Sequence, residues 1–260
     1  MSDEQPSRIP DIPELLAAID AAKAELEKKP PLSPAELKAI QEEFMVRYTY
    51  NTNAIEGSTL SLEETALVVL KKYVITGVPY EYTMDAQGHS EAFNILLKGL
   101  EDGAALTEEF IKDMHYYVLK HSQAERGKYR TVNVRISSSS VRLPDHEELP
   151  GLMASLIEDV AQSKLHPVEK AAVYHLDFER IHPFRDGNGR TGRLMMNMLL
   201  MQHGYLPIDI KFEKRDSYYR AFKSFSATNS YDGMVALVAE YELEELKMRM
   251  DGRIYLPPRW

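Results

Sequence analysis

Cysteine is absent from all 260 residues, which excludes disulfides, thiolate zinc sites and cysteine nucleophiles and fits a reducing compartment. Positive charge is scarce: 31 Lys plus Arg stand against 40 Asp plus Glu, a formal net charge of −9. Nucleic acid and anionic membranes are held by clustered cations, so neither partner is expected and any bound anion must be gripped locally. Long apolar runs are missing too. The longest nearly apolar stretch, Leu194 to Met201, falls far short of a membrane span. The opening MSDEQPSRIPDIP has neither the basic start nor the apolar stretch of a secretory signal, so a cytoplasmic protein is expected. What remains, 44% hydrophobic and 27% charged, suits one large globular domain or two modest ones sharing a core.

No internal repeat is visible, and the only low-complexity tract is the four serines at 137 to 140. Punctuation therefore comes from Pro, Gly and capping residues, and most of the chain reads as helix. A short helix is expected around Ile12 to Leu26. After the break at KKPPLSP, Ser33-Pro34-Ala35-Glu36 combines a capping box with proline at the first helical position. The helix that follows carries the apolar stripe Leu37, Ile40, Phe44, Tyr48 and Ile55, and Gly57 is its natural stop. Ser61 and Glu64 form a second capping box. Further helices are predicted over Ala92 to Leu100, Thr107 to Leu119, Leu149 to Val160 and Val168 to Ile181. The stretch Val132 to Leu143 differs, TVNVRISSSSVRL being rich in Val, Ile and Thr with partial alternation and a small polar centre, and is predicted as a short β-hairpin. LMMNMLLMQHG, apolar on nearly all sides, marks a helix in the middle of a bundle, with Met195, Met196, Met198 and Met201 as core filling.

The twelve residues His182 to Arg193, HPFRDGNGRTGR, are not explained by packing. They line up an imidazole, a carboxylate, an amide, glycines and guanidiniums between two apolar helices. Gly187 and Gly189 let backbone N–H groups converge, and the following helix presents its positive end at the same place. Such an arrangement is a phosphate cradle. Arg190 and Arg193, three apart, share a helix face and are expected to reach an oligophosphate, which guanidinium planes bind bidentately. Asp186 is the expected Mg²⁺ anchor, since that ion is held by one or two carboxylates plus phosphate oxygens. His182, just before the cradle, suits a general base acting on an incoming hydroxyl. No Gly-x4-Gly-Lys-Ser/Thr occurs, so the P-loop is excluded.

This segment resembles the Fic family signature His-x-Phe-x-Asp/Glu-Gly-Asn-Gly-Arg-x-x-Arg at every defined position. Likeness extends through the helical lead-in Thr107 to His115, Gly127-Lys-Tyr-Arg130, the hairpin and Asp216-Ser-Tyr218-Tyr219, roughly residues 85 to 245. The resemblance implies an all-α fold with a short β-hairpin flap and transfer of AMP from ATP to a Ser, Thr or Tyr hydroxyl of a protein. By position it makes His182 the base and Asp186 the Mg²⁺ ligand. Gly187, Asn188 and Gly189 would form the anion hole, continued by Thr191 and Gly192. Arg190 and Arg193 would clamp the outer phosphates, Phe184 would anchor the loop, and Tyr218 would lie near the nucleotide. Related members carry an Asn after the Tyr-Tyr pair, whereas Ala221 to Asn229 here keep no clear register, so base preference follows less directly than phosphate binding. The hairpin would pin a target segment by strand addition, with Arg135, Ile136, Ser137 and Ser138 nearest the reaction.

A second likeness lies upstream. Thr52-Asn-Ala-Ile-Glu56-Gly57 resembles the family's inhibitory motif Ser/Thr-x-x-x-Glu-Gly/Asn. It implies that Glu56 pairs with Arg193 and removes the γ-phosphate clamp, because carboxylate and phosphate compete for the same donors. Residues 1 to 60 would then be an inhibitory helical extension, 61 to 250 the catalytic domain and 251 to 260 a tail. The implied partners are ATP and a target hydroxyl, the chain's own included, and dimerisation is common in the family. Rival readings are transfer of phosphate, UMP or phosphocholine through the same loop, removal of AMP, or a nucleotide-binding module without turnover. His115, His166 and His175 lack metal spacing and are expected to be structural or at the surface.

Overall fold

The computed structural model describes residues 11–135 and 142–252. Among them are ten α-helices and no strand: α1 (Ile12–Glu27), α2 (Pro34–Ile55), α3 (Leu62–Lys71), α4 (Tyr80–Glu101), α5 (Glu108–Val118), α6 (Leu149–Gln162), α7 (Pro167–Ile181), α8 (Asn188–Gln202), α9 (Arg215–Thr228) and α10 (Asp232–Met250). Val132 to Arg135 and Arg142 to Leu143 are not strand, and the centre of the expected hairpin, with Ile136, Ser137 and Ser138, lies outside the described residues.

Both sequence capping boxes form. Ser33 and Ser61 each accept a backbone N–H from the glutamate three residues on, and Glu36 and Glu64 return the bond, which satisfies two orphan donors at each helix start. α4 starts twelve residues before the expected Ala92, because its inward face is polar: Thr83, Asp85, His89 and Ser90 are buried there, and no apolar stripe announces it. α9 and α10 carry no marked signature either. α10 buries Met234 to Ala239 without interruption and then Glu242 and Glu245.

α8 is the bundle's centre. Leu194, Met195, Met196, Met198, Leu199 and Leu200 are all buried, each side chain contributing roughly 1.5–3 kcal/mol through the water it leaves. The helix packs on α7, α5, α4 and α2. Two consequences follow for function. The polypeptide immediately before α8 is anchored by buried Phe184 while Arg185 and Asp186 face outward, and the C-terminal end of α2 is brought to the N-terminal end of α8. No described helix is long and apolar enough to cross a membrane.

Candidate active site

The turn between α7 and α8 is built around buried Phe184. Its backbone N–H donates to Asn188 Oδ1 (2.8 Å) and its carbonyl accepts from Asn188 Nδ2 (2.9 Å), so one amide side chain closes the loop into a ring. His115 of α5 stacks flat on the Phe184 ring, with centroids 3.6 Å apart. The Gly127 N–H donates to His115 Nδ1, which leaves the proton on Nε2, where it reaches the Asp186 carbonyl at 2.9 Å. Burial lowers this imidazole to about 4 and keeps it neutral. Gly187 takes φ +77° and ends the turn; a Cβ there would press on the His115 ring.

α8 begins with no side-chain cap, and the N–H groups of Asn188, Gly189 and Arg190, its first turn, have no intrahelical acceptor. They lie at the positive end of the helix, where an anion is favoured. An anionic side chain stands beside this turn. Glu56, the C-cap residue of α2, holds Oε1 so close to Gly189 that a Cβ there would clash with it, and the same oxygen accepts from Arg193 Nη2 at 2.8 Å.

Arg193 is 1% exposed and almost saturated. Nε donates to Thr52 Oγ1 (2.8 Å), Nη2 to the Thr52 carbonyl (3.0 Å) and Nη1 to the Tyr218 hydroxyl (3.0 Å). Thr52 and Glu56 therefore hold one guanidinium from one helix end, four residues apart. Gly57, at φ +97°, turns the chain away, and a Cβ there would point into open space. The Tyr218 hydroxyl also meets His175 Nε2 at 2.7 Å, so this ring is engaged in holding Arg193 and is itself buried. His175 lies under Gly192, where burial first and Arg193 next lower it to about 3.

Arg190 departs from the expectation of a second free clamp. It is buried, its Nη1 is paired with Asp85 Oδ2 of α4 at 2.5 Å and also donates to Asn53 Oδ1 at 3.4 Å, and its Nη2 stands 3.5 Å from Asp186 Oδ1. Asp85 in turn meets His121 Nδ1 at 2.5 Å. A guanidinium enclosed in this way braces the loop against α4 and α2. The Asn188 side chain likewise serves the loop, leaving its backbone N–H for an anion, and Thr191 is wholly buried. Asp186, by contrast, has 57% of its side chain exposed beside the first turn of α8. Asp186 Oδ1 accepts the Gly187 N–H at 2.6 Å, and a carboxylate in this place suits Mg²⁺ only where phosphate oxygens and waters supply the rest of its oxygen shell. No group of three or more potential metal ligands exists among the described residues.

His182 sits at the mouth of the loop as the left-handed cap of α7. Its carbonyl accepts from Arg130 Nε at 2.9 Å, and the same guanidinium donates to the carbonyls of Val132 (3.1 Å) and Pro144 (2.7 Å). Arg130 thus ties both ends of the expected flap to the histidine, a role that no local pattern in the sequence announced. Arg135 is exposed at the flap's start. His166 caps α7 and bonds Asp20 and Tyr205, away from the loop.

The described residues thus form a helical bundle whose central helix opens on a carboxylate-flanked turn with a histidine at its rim. The Fic/DOC family profile matches residues 105–200, which span α5 through most of α8, and the chain belongs to that family. Among curated relatives, Protein adenylyltransferase Fic of Nematostella vectensis is 35% identical over 212 residues, 79% of this chain and 49% of that protein. Protein adenylyltransferase fic-1 of Caenorhabditis elegans is 31% identical over 70% of this chain and 37% of its own length. The chain thus spans half or less of the length of these relatives. Fic-1 (residues 134 to 508) from C. elegans superposes with a TM-score of 0.84 at 25% identity, over 93% of this chain and 72% of that one. A Fic domain containing signaling protein from Bacteroides thetaiotaomicron shares the fold at a TM-score of 0.80 and 24% identity, covering 95% and 100% of the two chains.

Proposed function

We propose that the chain is a self-restrained protein adenylyltransferase that moves AMP from ATP to a Ser, Thr or Tyr hydroxyl of a target protein. The observation that carries this reading is the Glu56 carboxylate lying over Gly189 on Arg193, an anion seated on donors suited to a nucleotide's phosphates. Names of the curated relatives point the same way. Residues 1–60 act as the regulatory extension, residues 61–250 as the catalytic domain and residues 251–260 as a tail. The cytoplasm, where Mg-ATP is available, is the proposed compartment.

In the reaction, His182 takes the proton of the target hydroxyl while that oxygen forms a bond to the α-phosphorus. The bond from the α-phosphorus to the bridging oxygen breaks, and pyrophosphate leaves with its electron pair. The N–H groups of α8's first turn face the charge on the phosphoryl oxygens, and they are fixed before the reaction begins, so little reorganisation is required. Asp186 would hold Mg²⁺, which neutralises phosphate charge when bound. Arg193 receives the γ-phosphate once Glu56 withdraws, and Arg190 keeps the loop rigid. The flap, with Arg135, Ile136, Ser137 and Ser138, aligns the target.

The test is Glu56→Gly incubated with Mg-ATP labelled at either the α or the γ position. Label transferred from the α position, at least tenfold faster than in the unsubstituted chain and absent in His182→Ala, is the expected result. Transfer of γ label alone would establish phosphorylation instead, and equal rates with and without Glu56 would dispose of the restraint.

A further inference from the structure

Behind His182 lies a carboxylate that the reaction so far does not use. α7 ends at Ile181, and His182 turns out of the helix at φ 51° and ψ 60° with its N–H still donating to the Phe178 carbonyl at 2.9 Å. Left-handed backbone is unfavourable for a residue with a Cβ, and it persists where the surroundings hold it. Here the turn folds the imidazole back over the last turn of α7, so that Nδ1 stands 3.6 Å from Glu179 Oε2. His182 Nδ1 and Glu179 Oε1 are both buried without a hydrogen-bond partner, as are the hydroxyls of Tyr129 and Tyr174. The His182 side chain nevertheless keeps 18% of its exposure. Since Nδ1 is covered, the open edge of the ring is the one that carries Nε2.

Two features set this pair apart from an ordinary helical i,i+3 contact. Glu179 is 15% exposed, so its charge has little water to lean on and needs a donor. It also lies in the last turn of α7, where the helix's negative end disfavours a carboxylate. A glutamate with both disadvantages has a partner to gain, and the neighbour the structure gives it is the His182 ring. The separation of 3.6 Å is longer than a hydrogen bond. Contacts of this type tighten when substrate is in place.

We propose that Glu179 is the positioning residue for His182, accepting a hydrogen bond from Nδ1–H so that the lone pair of Nε2 faces the phosphate cradle. The inference rests on the adenylyl-transfer reading above. When the target hydroxyl attacks, its proton moves to Nε2 and the electrons of the O–H bond become the new O–P bond. The Nδ1 proton stays on the ring, the carboxylate stays ionised, and the imidazolium formed is stabilised by the neighbouring charge. The logic is that of a base held in one tautomer by a third group.

The test compares Glu179→Gln and Glu179→Leu with Glu179 in the full chain carrying Glu56→Gly. Two readouts are taken: transfer of α-labelled AMP onto the protein itself at varied Mg-ATP, and the tautomer of His182 from imidazole ¹⁵N shifts, assigned by its loss in His182→Ala. The expected result is an Nδ1–H tautomer with Glu179, retained with Gln, whose carbonyl still accepts, and mixed with Leu. Transfer should fall about tenfold with Gln and about a hundredfold with Leu, with the KM for ATP within twofold of the parent. A Leu variant that keeps both the Nδ1–H tautomer and the parental rate overturns the proposal. Should the Leu variant not fold, a Gln variant at the parental rate overturns the stabilising role of the charge. If Glu56→Gly transfers no label, the adenylyl-transfer reading fails, and the tautomer still decides whether Glu179 orients the ring.

Discussion

The carboxylate of Glu56 stands against Gly189 so closely that no side chain fits between them. A Cβ on Gly189 would collide with Glu56 Oε1 and press on Arg193 Nη1. Glycine there is required for whatever anion sits on the first turn of α8, whether the resident glutamate or an incoming phosphate. Gly189→Ala should therefore evict Glu56 without creating activity. Combined with Glu56→Gly, it should abolish most of the transfer gained by the single variant, a loss of at least tenfold in label incorporation. The fold should tolerate the change, since alanine is a good helix former. A double variant as active as Glu56→Gly would show that phosphate does not use this space.

Arg190 gives a second prediction. Its guanidinium is buried against Asp85, and removing one member of a buried ion pair leaves the other uncompensated. Asp85→Ala should lower stability by about 3–5 kcal/mol in chemical denaturation. Asp85→Asn keeps an acceptor and should cost less. If Arg190 were instead a free phosphate clamp, Asp85→Ala would leave stability unchanged and raise ATP affinity.

These residues also show where sequence reading succeeds and where it stops. The loop from His182 to Arg193 was legible because its residue types are contiguous and incompatible with a plain core helix. Glu56 and Thr52 were reached only through resemblance, because nothing local reveals that the end of α2 meets the start of α8. Asp85 was not reachable. It lies on a helix whose buried face is polar, and its partner is distant in sequence, so neither periodicity nor spacing marks it. Arg130 and Glu179 were hidden for a related reason, being ordinary charged residues whose roles arise from a cap geometry and from carbonyls brought together by the fold. α10 failed to declare itself because it buries glutamates on a face that reads as surface.

Arg130 carries its own test. Its guanidinium serves the carbonyls of His182, Val132 and Pro144 at once. Lysine, with a single nitrogen, cannot span all three. Arg130→Lys in the Glu56→Gly background should leave the melting temperature within a few degrees while lowering transfer to a protein acceptor more than it raises the KM for ATP. Separate measurement of acceptor and ATP dependence checks this, and a change confined to ATP would assign Arg130 to the nucleotide.

The last prediction concerns pH and a group outside the site. Glu242 of α10 is wholly buried, with Oε1 accepting the Leu206 N–H at 2.9 Å and Oε2 without a partner. Burial first, and repulsion from Glu245 next, raise its carboxyl from 4.5 to about 8 against the pull of the Leu206 amide and Lys23. Asp209, buried beside Arg47, is raised to about 6, burial again leading. An acid whose folded value lies above its unfolded one holds an extra proton in the folded state between the two, so its contribution is complete below the unfolded value and is lost as pH rises through the folded one. Stability should accordingly decline from about pH 5 toward pH 8. Glu242→Gln mimics the protonated carboxyl at every pH. It should melt several degrees above the parent at about pH 8, at a rate near 1.4 kcal/mol per unit of pKa shift relieved, and the gap should close by about pH 5. Thermal denaturation across that range checks the claim, and a gap that is constant with pH would mean that Glu242 is already ionised in the folded protein.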